Sequence, residues 1–205
     1  MRQAVASALN LERGFLHTLL TELREPGRPA REVVQGRTVA WARPISFLLV
    51  GITVAQLVSM QFGVLEEFLA GFYEAYQDPG PPSGAAEFIV RWFVVLLGGS
   101  LPVLALVSRA VHHEARFNFA EHLVLHAYAF GTAAILFALL TALTHLLPAG
   151  PRDLAAAVFI LGLVVQYVRS TRGFTGAGVL ASSFTVLLSV GVGGALMGII
   201  LGSLR

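Results

Sequence analysis

Four long apolar segments constrain this chain more than any other feature of its sequence. They run from Pro44 to Gly63, from Glu87 to Ser108, from Phe119 to Leu147 and from Val179 to Ser203. A helix that crosses a bilayer needs about 20 mostly apolar residues, and each segment has that length. Hydrophobic residues make up 56% of the 205 residues and charged residues only 13%, too little charge to cover a water-soluble globule of this size. The sequence therefore predicts an all-α integral membrane protein.

A fifth segment, about 153–170, is marginal by length. Only Leu154 to Val168 is apolar, between Asp153 and Arg169, and a helix of that length rises about 22 Å. It can cross a bilayer only if its flanking residues snorkel or the bilayer thins locally. If it did not cross, Arg169 and Arg172 would lie outside the cell, against the usual distribution of basic residues.

The distribution of arginine predicts the orientation, because short cytoplasmic loops are enriched in basic residues. Five spans with a cytoplasmic amino terminus leave only Arg91, Arg152 and Arg205 outside. They place eleven inside: Arg2, Arg13, Arg24, Arg28, Arg31, Arg37, Arg43, Arg109, Arg116, Arg169 and Arg172. We therefore expect a multi-pass protein of a cell inner membrane, with spans at about 44–63, 87–108, 119–147, 153–170 and 179–203 and the carboxyl terminus outside.

Residues 1–43 are expected to form a cytoplasmic unit ahead of the membrane domain at 44–205. Two amphipathic interfacial helices are predicted there, separated by the prolines and glycine of Glu25-Pro-Gly-Arg-Pro29. The first carries an apolar stripe of Leu16, Leu19, Leu20 and Leu23 opposite Glu12, Arg13, Glu22 and Arg24. The second, from about Ala30 to Arg43, offers lipid the side chains of Val33, Val34 and Trp41, and offers phosphates those of Arg31, Arg37 and Arg43. The alternative is that both helices pack on the cytoplasmic ends of the bundle.

The stretch Asn118-Phe-Ala-Glu-His-Leu-Val-Leu-His-Ala-Tyr128 places ionisable side chains at the start of an apolar segment. On a helix, Asn118, His122 and His126 are four residues apart and share one face. We expect Asn118, Glu121 and His122 to form a polar cluster at the cytoplasmic interface. A carboxylate partly removed from water is costly unless it is paired, so the cluster should include Arg37 or Arg43.

The same stretch permits a metal site, because two histidines at i and i+4 can hold one ion and imidazole suits transition metals. A third strong ligand has to come from elsewhere, and His112, His113 and Glu121 are the nearest candidates. No cofactor is the main expectation, and one transition-metal ion on His122 and His126 is the alternative. The chain contains no Cys, which excludes thiolate sites.

Two further features concern contacts between helices. Gln56 and Ser59 interrupt the first apolar segment and predict either a helix-to-helix hydrogen bond or a contact on a transport path. Gly194, Gly198 and Gly202 repeat every four residues in the last segment, a glycine-zipper pattern that lets another backbone approach closely. The partner of that ridge is either another span of the same chain or a second copy.

Three pieces of the chain resemble an uncharacterised family of bacterial multi-pass membrane proteins, a domain of unknown function. They are Leu11 to Arg37, Pro44 to Phe47, and Asn118 to Val124, which contains Asn118-Phe-Ala-Glu-His122. Many members of that family begin with a CxxC zinc ribbon, which this chain lacks. The resemblance implies a multi-pass topology and points to Glu121 and His122, but it implies no activity.

These features predict a small, non-enzymatic integral membrane protein that acts as an accessory subunit or as an organiser of membrane partners and lipids. Its expected partners are the bilayer, anionic headgroups at the cytoplasmic face, and a membrane protein or a second copy. Nucleic acid is not expected, because the net charge is only +2. One alternative is a small transporter or channel whose polar path includes Gln56, Glu121 and His122. A second is a metal-dependent membrane enzyme that uses His122 and His126.

Overall fold

The computed structural model describes residues 14–64, 66–67, 98–189 and 191, and the regular secondary structure in these ranges is helical. Helix α1 covers 14–24, and a 3-10 turn covers His113–Ala115. The remaining helices are α2 (Arg28–Val34), α3 (Pro44–Phe62), α4 (Gly98–Val111), α5 (Phe119–Thr144), α6 (Ala149–Thr175) and α7 (Val179–Ser189). The predicted all-α class is confirmed for this part of the chain.

Local signals in the sequence explain where the long helices begin and end. Pro44 stands in the first turn of α3, where its missing N–H costs nothing, and Gly63 ends the helix in the left-handed conformation. Asn118 caps α5 by accepting a hydrogen bond from the Glu121 N–H at 3.0 Å. The Glu121 carboxylate in turn accepts from the Asn118 N–H at 2.6 Å, which completes a capping box.

Two described helices are long and apolar enough to cross a membrane: α3 with 19 residues and α5 with 26. They correspond to the first and third predicted spans. In α3 only 28% of the most apolar stretch of 18 residues is buried. The side chains of Leu49, Leu57 and Met60 are exposed. The core helix of a soluble protein would be mostly buried, so the exposed apolar face of α3 suits lipid better than water.

The five-span layout is not confirmed by the described residues. Helix α6 covers the fourth predicted span with 27 residues, about 40 Å, but it is less apolar along its length than α3 and α5. Helices α4 and α7 are apolar but short as described. The rest of the predicted spans 87–108 and 179–203 lies outside the described residues.

The helices pack so that α5 runs parallel to α3 and antiparallel to α4 and α6. Near the start of α3, the Tyr128 hydroxyl of α5 donates to the Ala42 carbonyl, and at the other end of α3 the Phe62 ring lies 4.4 Å from the His145 ring. In the middle, a Cβ atom added to Gly51 would lie 2.6 Å from the Gly131 carbonyl oxygen. The two backbones therefore approach as closely as small residues allow.

The hairpin of α1 and α2 sits directly on the end of α6. We call this part of the molecule the hairpin end; it comprises α1, α2, the starts of α3 and α5, and the end of α6. Gly27, at the turn of the hairpin, has φ 80°, and a Cβ atom there would collide with the Ser170 carbonyl oxygen and the Phe174 nitrogen. A Cβ atom on Gly173 would collide with the Pro26 carbonyl oxygen. The hairpin and α6 thus meet backbone to backbone.

The faces that α1 and α2 bury are not the faces predicted from the sequence. In α1, Leu16 and Leu20 are exposed while Thr18 and Glu22 are fully buried. The Thr18 hydroxyl donates to the Gly14 carbonyl and accepts from the Ala42 N–H at 2.9 Å, so this polar face is hydrogen-bonded inward. The prediction that Glu22 lies on the solvent face is wrong. The Ala42 and Gly27 N–H groups donate to the Thr18 and Glu22 side chains, so this polar face of the helix is satisfied inside the protein.

The second helix is also shorter than predicted, since α2 ends at Val34 and not near Arg43. Gly36 follows with φ 85° and turns the chain towards α3. Trp41 is buried and stacks on His17 with 4.8 Å between ring centroids. The expectation that Trp41 faces lipid is therefore wrong.

Replacing Gly27 by Ala should destabilise the protein far more than replacing Gly36. Both positions have positive φ, which costs a residue with a Cβ atom about 1–2 kcal/mol. Only Gly27 also lacks space, whereas a Cβ atom on Gly36 meets nothing within 4 Å. Steric overlap adds roughly 1–3 kcal/mol, so we expect Gly27→Ala to cost about 3 kcal/mol and Gly36→Ala about 1 kcal/mol.

Thermal unfolding of the purified variants in detergent measures this difference. Equal losses of stability in the two variants would show that the hairpin is not seated on α6.

Candidate functional site

Three pairs of a histidine and a hydroxyl, two buried and one partly buried, join α4 to α7 near the hairpin end. His122 Nδ1 lies 2.9 Å from the Ser108 hydroxyl, and His112 Nε2 lies 2.8 Å from the Thr185 hydroxyl. His126 Nδ1 is hydrogen-bonded to the Tyr167 hydroxyl. We call these six residues the histidine core: Ser108, His112, His122, His126, Tyr167 and Thr185. Each pair bridges two different structural elements, so the core cross-links the bundle.

The partners of Thr185 indicate the tautomer of His112. The Thr185 hydroxyl donates its one proton to the Ala181 carbonyl at 3.0 Å, so it can only accept from His112 Nε2. Burial lowers the pKa of His112 below its ordinary value of 6.5. The ring is therefore neutral at neutral pH, with the proton on Nε2.

His122 and His126 are fully buried, and each has one ring nitrogen in use and one without a partner. Neither Nε2 atom has a hydrogen bond of good geometry among the described residues, although the Leu104 backbone lies close to the His126 ring. Buried polar atoms are usually hydrogen-bonded, so these two nitrogens are open positions in the core. The sequence predicted their shared helix face correctly but gave no sign that Ser108 and Tyr167 would meet them.

The structure supplies no third ligand for the predicted metal site within its described part. No group of three or more His, Cys, Asp or Glu side chains with metal-ligand geometry occurs there. His122 and His126 use their Nδ1 atoms for hydroxyl partners, which leaves Nε2 as the atom that could bind an ion. The metal site on these two residues remains a prediction.

The predicted polar cluster separates into two parts. Glu121 is occupied by the capping box with Asn118, while His122 turns into the bundle. Arg37 donates instead to the Gln35 side chain, and Arg43 is exposed. Among the described residues the ion pairs are those of Arg28 with Glu25 and with Glu32, so the expected pair between Glu121 and an arginine from Arg28 to Arg43 does not form. The reciprocal hydrogen bonds at the helix start already satisfy the carboxylate.

The remaining predicted positions lie elsewhere. On α3, Ser59 is buried and Gln56 is half-buried. Gly194, Gly198 and Gly202 lie outside the described residues. The glycine-zipper contact therefore stays a prediction.

Glu22 carries a buried carboxyl group, and the sequence did not predict that this group would face inward. Its Oε2 atom accepts from the Gly27 N–H at 3.0 Å, and its backbone carbonyl accepts from the Gln166 side chain at 2.7 Å. Burial raises the pKa of Glu22 to about 7, although hydrogen bonds from Ser170 and Gly27 oppose the rise. Thr18 and Glu22 are four residues apart just before the Pro-Gly turn, a spacing that could have indicated a shared inward face.

A basic cavity of about 620 Å³ opens beside this hairpin, and we call it the arginine basin. Its charged lining consists of Arg28, Arg31, Arg37, Arg169 and Arg172 with Glu25 and Glu32. Arg28 is paired with both glutamates at 2.8 Å, and this contact lowers the pKa of Glu32. Arg31 donates to the Phe174 carbonyl at the end of α6, at 2.8 and 3.1 Å. Arg37 donates to the Gln35 side chain and its charge helps to lower the pKa of Glu32, whereas Arg169 and Arg172 have no carboxylate partner among the described residues.

Comparison of the chain with protein-family models, with curated proteins and with solved structures gives no match. The arrangement of the histidine core, Glu22 and the arginine basin is therefore interpreted from its own geometry.

Replacing Glu22 by Gln should remove a pH dependence of stability. Because the pKa of Glu22 in the folded protein lies above its ordinary value of 4.5, the carboxyl favours folding below about pH 4.5. That contribution is lost as the pH rises to about 7. Glu22→Gln keeps an acceptor for the Gly27 N–H and cannot ionise, so at pH 8 it should be more stable than the parent by roughly 3 kcal/mol.

The measurement is thermal unfolding in detergent between pH 5 and pH 8. At pH 8 the Tm of Glu22→Gln should exceed that of the parent by on the order of 10 °C. Glu25→Gln is the control, since Glu25 is exposed and only loses its pair with Arg28. A parent and a Glu22→Gln variant with the same pH profile would refute the buried ionisation.

Proposed function

We propose that this chain is a small, non-enzymatic integral membrane protein that acts as an accessory subunit or organiser of membrane partners and lipids. One observation carries the proposal: large apolar side chains are exposed on several helices, while several polar side chains are buried between the helices. Exposed apolar residues line the outer faces of α3, α6 and α7, among them Leu57, Leu161 and Leu187. Three histidines, five threonines and Glu22 are buried: His112, His122, His126, Thr18, Thr132, Thr141, Thr171, Thr185 and Glu22.

The histidine core supports a packing role for its polar groups. Each of its three contacts joins one element to another, as do polar side chains that hold helices together in a bilayer. The close approach of Gly51 to Gly131 serves the same purpose between α3 and α5. These contacts favour a closed bundle whose function lies on its surfaces, towards lipid, another membrane protein or a second copy of itself.

The proposed layout is five spans in a cell inner membrane, with the amino terminus in the cytoplasm and the carboxyl terminus outside. The eleven-to-three distribution of arginine supports it. The antiparallel packing of α4 and α6 on α5 is compatible with alternate crossings. The resemblance to the uncharacterised multi-pass family points to the same topology.

A periplasm-active reporter tests the layout at three positions. Fused after Leu147 or after Leu204 it should be active, and fused after Gly176 it should be inactive, because α6 would return the chain to the cytoplasm. A fusion after Gly36 is the inactive control. Activity after Gly176 would show that α6 does not cross, and inactivity after Leu204 would defeat the five-span layout.

A transporter or channel is the second candidate, and the open nitrogens of the histidine core favour it. His122 and His126 lie one helical turn apart with unpartnered Nε2 atoms, an arrangement that could relay protons. In a relay, His126→Phe should abolish movement of protons, whereas His17→Phe, at an exposed position on α1, should not.

Proton flux into liposomes that contain the purified protein separates the two functions. The organiser proposal predicts a flux equal to that of empty liposomes under an imposed pH gradient and membrane potential. A flux above that level that His126→Phe removes would overturn the organiser proposal in favour of transport.

A further inference from the structure

The arginine basin continues an apolar ridge on α6. Leu154, Val158, Leu161 and Val165 are spaced by four, three and four residues, so they line one face of the helix, and all four are exposed. Arg169 and Arg172 follow at the same spacing, are exposed as well, and line the basin. One helix face therefore changes from apolar to cationic at a single point.

The part of the ridge next to the arginines matches one leaflet of a bilayer. From Val158 to Arg169 the helix rises about 16 Å, and half of a hydrocarbon core of about 30 Å is about 15 Å. Arg169 lies about 6 Å beyond Val165 along the axis, where headgroups begin. An acyl chain that follows the ridge would bring its phosphate to the opening of the basin.

The charges of the basin suit a phosphate. Five arginines face two glutamates, which leaves an excess of three positive charges. Arg28 is paired with Glu25 and Glu32, and Arg31 donates to the Phe174 carbonyl. These two arginines line the basin but are already engaged within the protein. The side chains of Arg169 and Arg172 form no hydrogen bond or ion pair within the described part of the chain. Two free guanidinium groups three residues apart on one helix face can hold one phosphate between them, since the planar guanidinium forms paired hydrogen bonds to phosphate oxygens.

We propose that the arginine basin and the α6 ridge form one binding site for an anionic phospholipid. The phosphate lies between Arg169 and Arg172, and an acyl chain lies along Val165, Leu161 and Val158. This inference rests on the proposed function, since it requires α6 to face a bilayer, and it names the lipid class that the organiser holds. A lipid is favoured over a soluble phosphate because the apolar ridge leads directly into the basin.

Titration of the delipidated full-length protein in detergent, followed by native mass spectrometry, tests the site. The probes are phosphatidylglycerol and phosphatidylcholine, and the quantity is the Kd of the first bound lipid. The parent protein should bind phosphatidylglycerol at least tenfold more tightly than phosphatidylcholine. The double variant Arg169→Gln, Arg172→Gln should weaken phosphatidylglycerol binding by roughly tenfold or more.

The matched control is the double variant Arg109→Gln, Arg116→Gln. It removes two exposed arginines without partners among the described residues, at the end of α4 and just before α5 and outside the basin. Its Kd for phosphatidylglycerol should change less than twofold. Equal weakening in the two double variants would show only a general effect of charge and would overturn the site.

A second pair of variants separates a lipid from a soluble phosphate. Leu161→Asn should weaken phosphatidylglycerol binding several-fold, whereas Leu180→Asn, on the exposed face of α7, should not. Glycerol 3-phosphate should compete poorly, because it lacks the chain that the ridge contacts. Competition by glycerol 3-phosphate as tight as binding of the lipid, with no effect of Leu161→Asn, would identify a site for free phosphate instead.

The reporter fusions keep a failure of the site distinct from a failure of the proposed function. If they show that α6 crosses the membrane while phosphatidylglycerol binds no better than phosphatidylcholine, the lipid site is wrong and the membrane role stands. If α6 does not cross, the premise of the site fails with the topology.

Discussion

The contact between the Pro26-Gly27 turn and the end of α6 is the constraint on which the rest of the hairpin end depends. No side chain stands between the two backbones, because a Cβ atom on Gly27 or on Gly173 would overlap the opposite chain. This contact brings the Gly27 N–H to the Glu22 carboxyl and the Arg31 guanidinium to the last carbonyls of α6. Burial of Glu22, capping of α6 and formation of the arginine basin all follow from it.

The interior of the bundle joins its helices through polar contacts in addition to apolar packing. In water, the burial of apolar surface would hold such helices together, but in the proposed bilayer setting lipid removes much of that driving force. Hydrogen bonds between helices then contribute more of the specificity. The Ser108, Tyr167 and Thr185 hydroxyls each meet a histidine from a different element, which sets the relative positions of α4 to α7. Neutral histidine suits this role, because it both donates and accepts without bringing a charge into the bundle.

The outer surface complements this interior. The apolar face of α6 ends where arginines begin, and the change from Val165 to Arg169 occurs within about one helical turn. Arg28 and Arg31 are committed to contacts within the protein, while Arg169 and Arg172 remain for a ligand. The same helix therefore supplies the seat of the amino-terminal hairpin on one face and the proposed lipid contact on another.

The sequence by itself determined the helical class, the two most apolar helices and their starts, because apolar length and capping residues such as Pro44 and Asn118 act locally. It also placed His122 and His126 on one helix face. The capping box that engages Glu121 is also local, because Asn118 and Glu121 are three residues apart. Only the tertiary structure decided that Glu22 turns inward and that Trp41 is buried. These two outcomes depend on partners far away in the chain: Gln166 and Ser170 for Glu22, and His17 for Trp41. Periodicity reports which residues share a face, whereas the choice of the buried face is made by the donors and acceptors that the rest of the fold brings to it.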